Sequence, residues 1–283
     1  MFKIALSAGH GRNTAGKRCM KKLDPCETRE WLLNSRIVDK VEKLLAGYND
    51  VEVLRLDDRS GDTDVALNAR SKAANAWGSD FYLAIHHNAG IRGGKGGGIV
   101  AYVYTKPSEE SVKWQNALYE SLIIATGLRG NRSKPLGRAN FHEVREPKMP
   151  SVLLEMGFMD SQTDTPIILT EEYACKCAKA IVETIVKMKS LDEKDEVEKN
   201  TVSNRLDFAE DKDDSLKGLY SVASDDGILN LRAGAGADKP IIEAMPTGST
   251  VKCYGYHTGK WFYVVSEAGN IGFCHSAYLE KTC

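Results

Sequence analysis

Two kinds of metal-binding side chain follow short apolar runs of strand length in this sequence. His10 comes directly after one such run and Glu155 ends another, while His86 and His87 close the run 81–85. Buried parallel strands are continuously apolar, and their carboxyl ends face the crevice where ligands bind. Imidazoles and a carboxylate that converge at such an edge predict a metal site.

The chemistry of such a site would be hydrolytic. A hydrolytic zinc ion typically takes three protein ligands and leaves one position for water, whose proton a nearby carboxylate can move. His10, His86 and a carboxylate from a helix would supply the ligands, with Glu155 as the base. A buried glutamate without a partner is costly, so Glu155 needs either this role or an ion pair. Strand alternation puts His86 and His87 on opposite faces, so only one of them should reach the metal.

Two carboxylates near the start of the first predicted helix could complete the ligand set. Glu27 and Glu30 are three residues apart and would share one helix face. Asp24 and Pro25 predict the cap and first position of this helix, which would place Glu27 where a carboxylate stabilises the positive helix end. The residues by themselves leave both glutamates open as the third ligand.

The elements that must position these residues alternate along the first two thirds of the chain. Apolar runs predict strands at 3–8, 51–56, 81–89, 99–104 and 151–155. Helical spacing predicts helices from Asp24 to Gly47, from about 62 to Gly78, from Ser108 to Thr126 and over 170–189. Residues 128–150 are expected to form a basic loop. This alternation predicts an α/β fold with a mixed, largely parallel sheet and helices on both faces.

The last third of the chain changes character. Residues 190–215 are rich in charge and nearly free of aromatic residues, which predicts a solvated linker. From 216 to 283, short apolar runs alternate with Gly, Pro and Asp turns, which predicts a small all-β barrel.

Composition limits the possible partners. The 283 residues predict about two domains, and 42% hydrophobic with 27% charged residues is typical of a globular protein. The formal net charge of −1 gives no general attraction to nucleic acid. No apolar run approaches the ~20 residues needed to cross a bilayer. We therefore expect neither nucleic-acid binding nor membrane insertion.

Four motifs carry a resemblance to a known family. They lie at Ala8–Gly11, Glu30–Asn34, Ala84–Ala89 and Val152–Phe158. In this order, over residues 1–189, they resemble the zinc-dependent N-acetylmuramoyl-L-alanine amidases of cell-wall autolysins and phage endolysins.

The resemblance implies a role for several residues. By this resemblance, His10, Glu30 and His86 bind Zn²⁺ and Glu155 is catalytic, so Glu30 is favoured over Glu27. Arg145 matches an arginine often found before the last strand, where it would contact substrate. No other substrate-binding residue is assigned. His142 is expected to be an exposed loop residue.

The C-terminal segment resembles a bacterial SH3 domain. Leu229–Gly234, Pro246–Val251 and Gly259–Val264 follow the order of that family, and Phe273 stands where the family often has Trp. The resemblance implies binding to peptidoglycan. The expected organisation is therefore a catalytic domain at 1–189, a linker at 190–215 and a wall-binding domain at 216–283.

The activity implied is hydrolysis of the amide between N-acetylmuramic acid and L-alanine in peptidoglycan, at the bacterial cell wall. The alternatives are a zinc peptidase that cuts the stem peptide and a wall-binding protein without catalysis. The N-terminus lacks the basic and apolar segments of a secretory signal. That favours a phage-type lysin that accumulates in the cytoplasm before release, or a protein whose leader has been removed.

Overall fold

The chain folds as two compact units, Met1–Lys194 and Asp195–Cys283, each of which is described by itself. The structure is a computed structural model that describes residues 1–130, 135–194, 209 and 211–282. Within these residues, a search for a helix long and apolar enough to span a bilayer finds none.

One sheet organises the first unit. Its strands are β1 (Phe2–Ala8), β2 (Val51–Arg55), β3 (Phe81–Asn88), β4 (Ile99–Tyr104), β5 (Leu136–Ala139) and β6 (Ser151–Phe158). The spatial order is β2-β1-β3-β6-β4-β5, in which only the pair of β4 with β6 is antiparallel. The predicted mixed, largely parallel sheet is confirmed.

Helices cover both faces of this sheet. They are α1 (Glu30–Leu45), α2 (Leu67–Trp77), α3 (Glu109–Thr126), α4 (His142–Arg145), α5 (Thr165–Ile168) and α6 (Glu171–Lys189). Alternate strand residues such as Leu83 and Leu154 pack against α1, α3 and α6. Their neighbours Tyr82 and Leu153 face the other way, toward α2 and α4. The alternation of β-strand side chains thus builds two apolar layers around one sheet.

The first helix begins later than the sequence predicts. α1 starts at Glu30 rather than near Asp24. The carboxylate of Asp24 accepts the backbone N–H groups of Cys26 (3.2 Å) and Thr28 (2.6 Å), so it caps a turn. Glu27 has a φ of 47°, in the left-handed region that a helix cannot include. Asp24 therefore caps a turn rather than a helix, and α1 begins after that turn.

Of the predicted ends of α2 and α3, all but the start of α2 agree with the structure. α2 begins after Ala66, without a side-chain cap, so the predicted start near 62 is wrong. Its C-terminus at the left-handed Gly78 is as predicted. α3 begins directly after Ser108 and ends before Gly127, as predicted, and the hydroxyl of Ser108 caps it by accepting the N–H of Ser111.

The predicted basic loop contains two short elements, β5 and α4, so its description as a loop is wrong. β5 pairs in parallel with the outer edge of β4. The side-chain amide of Gln115 joins the two strands by donating to the carbonyls of Ala101 (2.7 Å) and Gly137 (2.9 Å). Each element has only four residues, too few for a recognisable period. Two of the loop's basic residues, Arg132 and Lys134, lie outside the described residues.

The second unit is all β, as predicted. Its strands are β7 (Asp211–Lys212), β8 (Gly218–Val222), β9 (Ile228–Arg232), β10 (Ile241–Pro246), β11 (Thr250–Thr258), β12 (Trp261–Ser266), β13 (Ile271–His275) and β14 (Leu279–Lys281). They pair in the order β10-β9-β13-β12-β11-β8-β14, with β7 on β11. A separate apolar core, which includes Leu231, Val264 and Cys274, holds them together.

Most of the predicted linker lies outside the described residues, at 195–208 and 210. Its first described residues pack on the first unit: Leu191 contacts the apolar core, and the N–H of Lys194 donates to the carbonyl of Gly47 (2.9 Å). Its last described residues form β7 and a short 3₁₀ turn of the second unit.

Candidate metal centre

Three predicted ligands come together at the carboxyl ends of β1 and β3. His10, Glu30 and His86 each offer one donor atom, and these atoms lie within 4.8 Å of one another. Oε1 of Glu30 is 3.2 Å from Nδ1 of His86 and 3.4 Å from Nε2 of His10. Tetrahedral zinc with bonds of about 2.0–2.1 Å holds neighbouring donors about 3.3–3.4 Å apart. The observed distances therefore match two edges of such a tetrahedron.

The turn after β1 is fixed by buried polar contacts. His10 has a φ of 68°, an uncommon left-handed conformation for a residue other than glycine. The guanidinium of Arg70 donates to the carbonyls of Ala8 (2.6 Å) and His10 (3.3 Å), and Asp57 accepts the N–H of Ala8 (2.9 Å). Buried backbone groups require such partners, so these contacts hold the turn in the conformation that presents His10.

Glu30 is the first residue of α1 and is 1% exposed. Besides the two imidazoles, its Oε1 accepts the backbone N–H of His87 (3.3 Å). Burial favours a raised pKa for Glu30, but hydrogen bonds with His10 and His86 outweigh burial and leave the pKa well below its usual range. Oε2 is buried without a hydrogen-bond partner, and Nζ of Lys17 lies 3.6 Å from it.

The tandem histidines point to opposite faces, as strand alternation predicts. His87 donates from Nδ1 to Oδ1 of Asn34 (2.8 Å), whose amide nitrogen donates to the carbonyl of Gly9 (3.0 Å). Asn34 thereby ties α1 to both strands that carry the histidines. Burial lowers the pKa of His87 to about 3, so its ring is neutral.

A carboxylate that the sequence analysis missed stands behind His86. Glu143, on α4, accepts a hydrogen bond from Nε2 of His86 at 2.9 Å. Burial opposes a charged ring, but the hydrogen bonds to Glu143 and Glu30 raise the pKa of His86 to about 10. The sequence signal was weak, because Glu143 is a single carboxylate in a segment that looks like an exposed basic loop.

Glu155 lies beside His86 in the sheet, where the two residues are register partners on β6 and β3. Its Oε2 is buried and has no hydrogen-bond partner. Burial, aided by the negative charges of Glu30 and Glu143, raises the pKa of Glu155 to about 7. A carboxylate whose pKa lies near neutral pH suits proton transfer.

Three other candidates are held by other contacts. Glu27 forms an ion pair with Arg18 (3.0 Å). Arg145 binds Glu146 (2.6 Å) and the side chain of Asn140 (3.1 Å), so its predicted contact with substrate stays a prediction. His142 is predicted to be an exposed loop residue, but it begins α4 and is half-buried, with Nε2 3.0 Å from the hydroxyl of Ser71.

Three observations indicate that these residues fit a metal ion. Two buried carboxylate oxygens, Oε2 of Glu30 and Oε2 of Glu155, have no hydrogen-bond partner among the described residues. Two imidazoles and one carboxylate are donors that zinc accepts. Three ligands, rather than four, are typical of a catalytic site with an open position. The fold and the donor set define a class, that of α/β proteins with a candidate three-ligand metal site at the strand ends.

Comparisons with known proteins narrow the class to a family. A family model described as N-acetylmuramoyl-L-alanine amidase matches residues 4–187, and one described as bacterial SH3 domain matches residues 227–280. The chain therefore belongs to the N-acetylmuramoyl-L-alanine amidase family and carries a bacterial SH3 domain. Both resemblances in the sequence are confirmed.

Curated relatives agree with this assignment. The N-acetylmuramoyl-L-alanine amidase CwlM of Bacillus licheniformis is 33% identical over 164 residues, which cover 58% of this chain and 59% of that protein. The sporulation-specific N-acetylmuramoyl-L-alanine amidase of Bacillus subtilis is 32% identical, with 61% and 62% covered. An endolysin of Bacillus phage SPP1 is 26% identical, with 68% and 67% covered. The chain thus spans about three fifths of the length of the first two relatives.

A solved structure shares the fold of the first unit. The catalytic domain of CwlV, an N-acetylmuramoyl-L-alanine amidase from Bacillus (Paenibacillus) polymyxa, is 26% identical with a TM-score of 0.60. The match covers 68% of this chain and 100% of that domain.

Proposed function

We propose that this protein hydrolyses the amide bond between N-acetylmuramic acid and L-alanine in peptidoglycan, at the bacterial cell wall. The observation that supports this most is the cluster of His10, Glu30 and His86 beside Glu155, whose Oε2 is buried without a hydrogen-bond partner, in a chain of the amidase family.

His10, Glu30 and His86 would hold a zinc ion through Nε2, a carboxylate oxygen and Nδ1, the atoms that face one another. Zinc held there would polarise the scissile carbonyl and acidify the attacking water. Glu155 takes a proton from that water and passes it to the nitrogen of L-alanine as the C–N bond breaks. The products are a free carboxylate on the muramic acid and a free amine on the peptide. Proton transfer of this kind contributes about 10²- to 10⁴-fold to the rate.

The SH3 domain is proposed to bind the cell wall. We assign residues 1–189 to catalysis, 190–215 to a linker and 216–283 to wall binding. The support is the match of two family models to separate segments, each within its own compact unit. A tethered binding domain raises the local concentration of the enzyme at its polymer.

Product analysis of digested peptidoglycan tests the reaction. The zinc-loaded protein should release new amino termini that are all L-alanine, and it should create no new reducing sugar ends. The variant Glu155→Gln should release no new amino termini, although it keeps its zinc. New amino termini from another position of the stem peptide would instead identify a peptidase, and a wild-type protein without any product would identify a wall-binding protein.

Metal analysis tests the ligands separately. His10→Ala should lose bound zinc after dialysis, because two ligands hold the ion much less tightly than three. His142→Ala is the matched control. His142 lies on α4 and contacts Ser71 on α2, so its removal should leave the zinc content unchanged. Zinc content in His10→Ala as high as in His142→Ala and in the wild type would exclude the site.

A further inference from the structure

A buried carboxylate joins three donors directly behind the candidate ligand His86. Glu143 is 3% exposed. Its Oε2 lies 2.9 Å from Nε2 of His86, and its Oε1 lies 2.6 Å from the hydroxyl of Ser7 and 2.8 Å from that of Tyr82. All four side chains are buried, so these contacts are formed away from competing water.

The direction of each hydrogen bond follows from the partners. Arg70 can only donate, and Nη1 of Arg70 donates to the hydroxyl of Ser7 at 2.8 Å. The single proton of Ser7 must then point to Glu143. The hydroxyl of Tyr82 has Glu143 as its acceptor as well. Oε1 thus receives two protons, and the buried Arg70 nearby favours an ionised carboxylate, which can only accept. Nε2 of His86 must therefore carry the proton between them.

The other nitrogen of His86 faces the candidate metal site. Nδ1 is 3.2 Å from Oε1 of Glu30, on the same side as His10. An imidazole whose Nε2 keeps its proton offers the lone pair of Nδ1 to a metal. A carboxylate behind a metal-binding histidine also fixes the orientation of the ring and increases its basicity.

We propose that Glu143 is a positioning residue that keeps the proton on Nε2 of His86 and so presents Nδ1 to the metal. The hydroxyl of Ser7 on β1, which is itself fixed by Arg70, holds this carboxylate in place. Glu143 does not touch substrate. The inference rests on the proposed function in one respect, that zinc binds at His10, Glu30 and His86.

Zinc affinity, measured by competition with a chromophoric chelator, tests the role of Glu143. In Glu143→Gln the amide is neutral and has a donor of its own, so its hold on the proton of Nε2 weakens. We expect zinc affinity to fall by about 10- to 100-fold, the range known for such outer partners of metal ligands. Tyr82→Phe is the matched control, because it removes a hydrogen bond from the same carboxylate but leaves His86 untouched, and its zinc affinity should change much less.

Two outcomes of this experiment overturn the proposal. One is a folded Glu143→Gln variant that binds zinc as tightly as the wild type. The other is an equal loss in Tyr82→Phe, which would mean that any damage to the buried pocket weakens zinc. A wild-type protein that binds no zinc would instead overturn the proposed metal site, so the two failures are distinguishable.

The proton itself can be located directly in the wild-type protein. In zinc-loaded wild-type protein with ¹⁵N-labelled histidine, NMR should show His86 with a proton on Nε2 and without one on Nδ1. Assignment of the signal comes from its absence in His86→Ala. A proton on Nδ1 with Nε2 bound to the metal would overturn the proposal, even where Glu143→Gln fails to fold.

Discussion

Glu155 and Glu30 lie in one site, but their surroundings act on the two carboxyl groups in opposite directions. Glu30 has two imidazoles against one oxygen, and these hold its pKa low despite burial. Glu155 has no hydrogen bond to Oε2, so burial prevails and raises its pKa to about 7. The same site thus separates a group suited to bind a cation from a group suited to exchange a proton.

The raised pKa of Glu155 should lower the stability of the metal-free protein at neutral and higher pH. The pKa of Glu155 is about 7 in the folded chain against an ordinary value of 4.5, so the folded state favours the protonated acid. That contribution to stability is complete below pH 4.5 and is lost as the pH rises to about 7. In chelator-treated protein, Glu155→Gln should therefore be neutral near pH 4.5 and stabilising at pH 8, by roughly 2–3 kcal/mol.

Urea unfolding at the two pH values measures this difference. The control is Glu120→Gln on the exposed side of α3, which changes the net charge equally but lies outside the site. If the stability of Glu155→Gln relative to the wild type were the same at both pH values, ionised Glu155 would not destabilise the folded protein.

At the scale of elements, the sequence predicts the strands of the site better than its helices. A buried strand is a continuous apolar run, and the histidines are visible because they interrupt such runs at their ends. The start of α1 could not be predicted, since Asp24 suits a turn as well as a helix cap. Glu143 could not be predicted either, because its partners Ser7 and Tyr82 come from distant strands and meet it only in the folded sheet.

The carboxyl ends of β1 and β3 meet closely at Gly9. A Cβ atom at this position would overlap Cε1 and Nδ1 of the His86 ring. Gly9→Ala should push the imidazole away at a cost of about 1–3 kcal/mol, which lowers zinc affinity by about 10- to 100-fold. Chelator competition measures the change.

Gly16→Ala provides the matched control in the same loop. Gly16 has a φ of 74° but nothing within 4 Å of an added Cβ. Alanine there should cost about 1–2 kcal/mol of folding stability through the left-handed backbone, with no change in zinc affinity. If Gly9→Ala bound zinc like Gly16→Ala, the close contact would have no part in positioning His86.

At the scale of the whole molecule, each unit contains what its proposed task needs. The first unit carries the site and encloses the sheet between two apolar layers, and the second has a core of its own. Neither core includes residues of the other unit among the described residues. Catalysis and wall binding should therefore be separable by shortening the chain and by changing the site.

A chain that ends at Lys194, the last residue of the first compact unit, should keep its rate on a soluble muramoyl peptide. Its rate on intact cell walls should fall by about 10²-fold, because the tethered binding domain that concentrates the enzyme is gone. The full-length variant Glu155→Gln should show the reverse, with no product from either substrate but normal sedimentation with walls. Rates on both substrates and co-sedimentation of the three proteins measure this. Equal binding of walls by the shortened chain would place the wall-binding surface in the first unit, against the proposed division of labour.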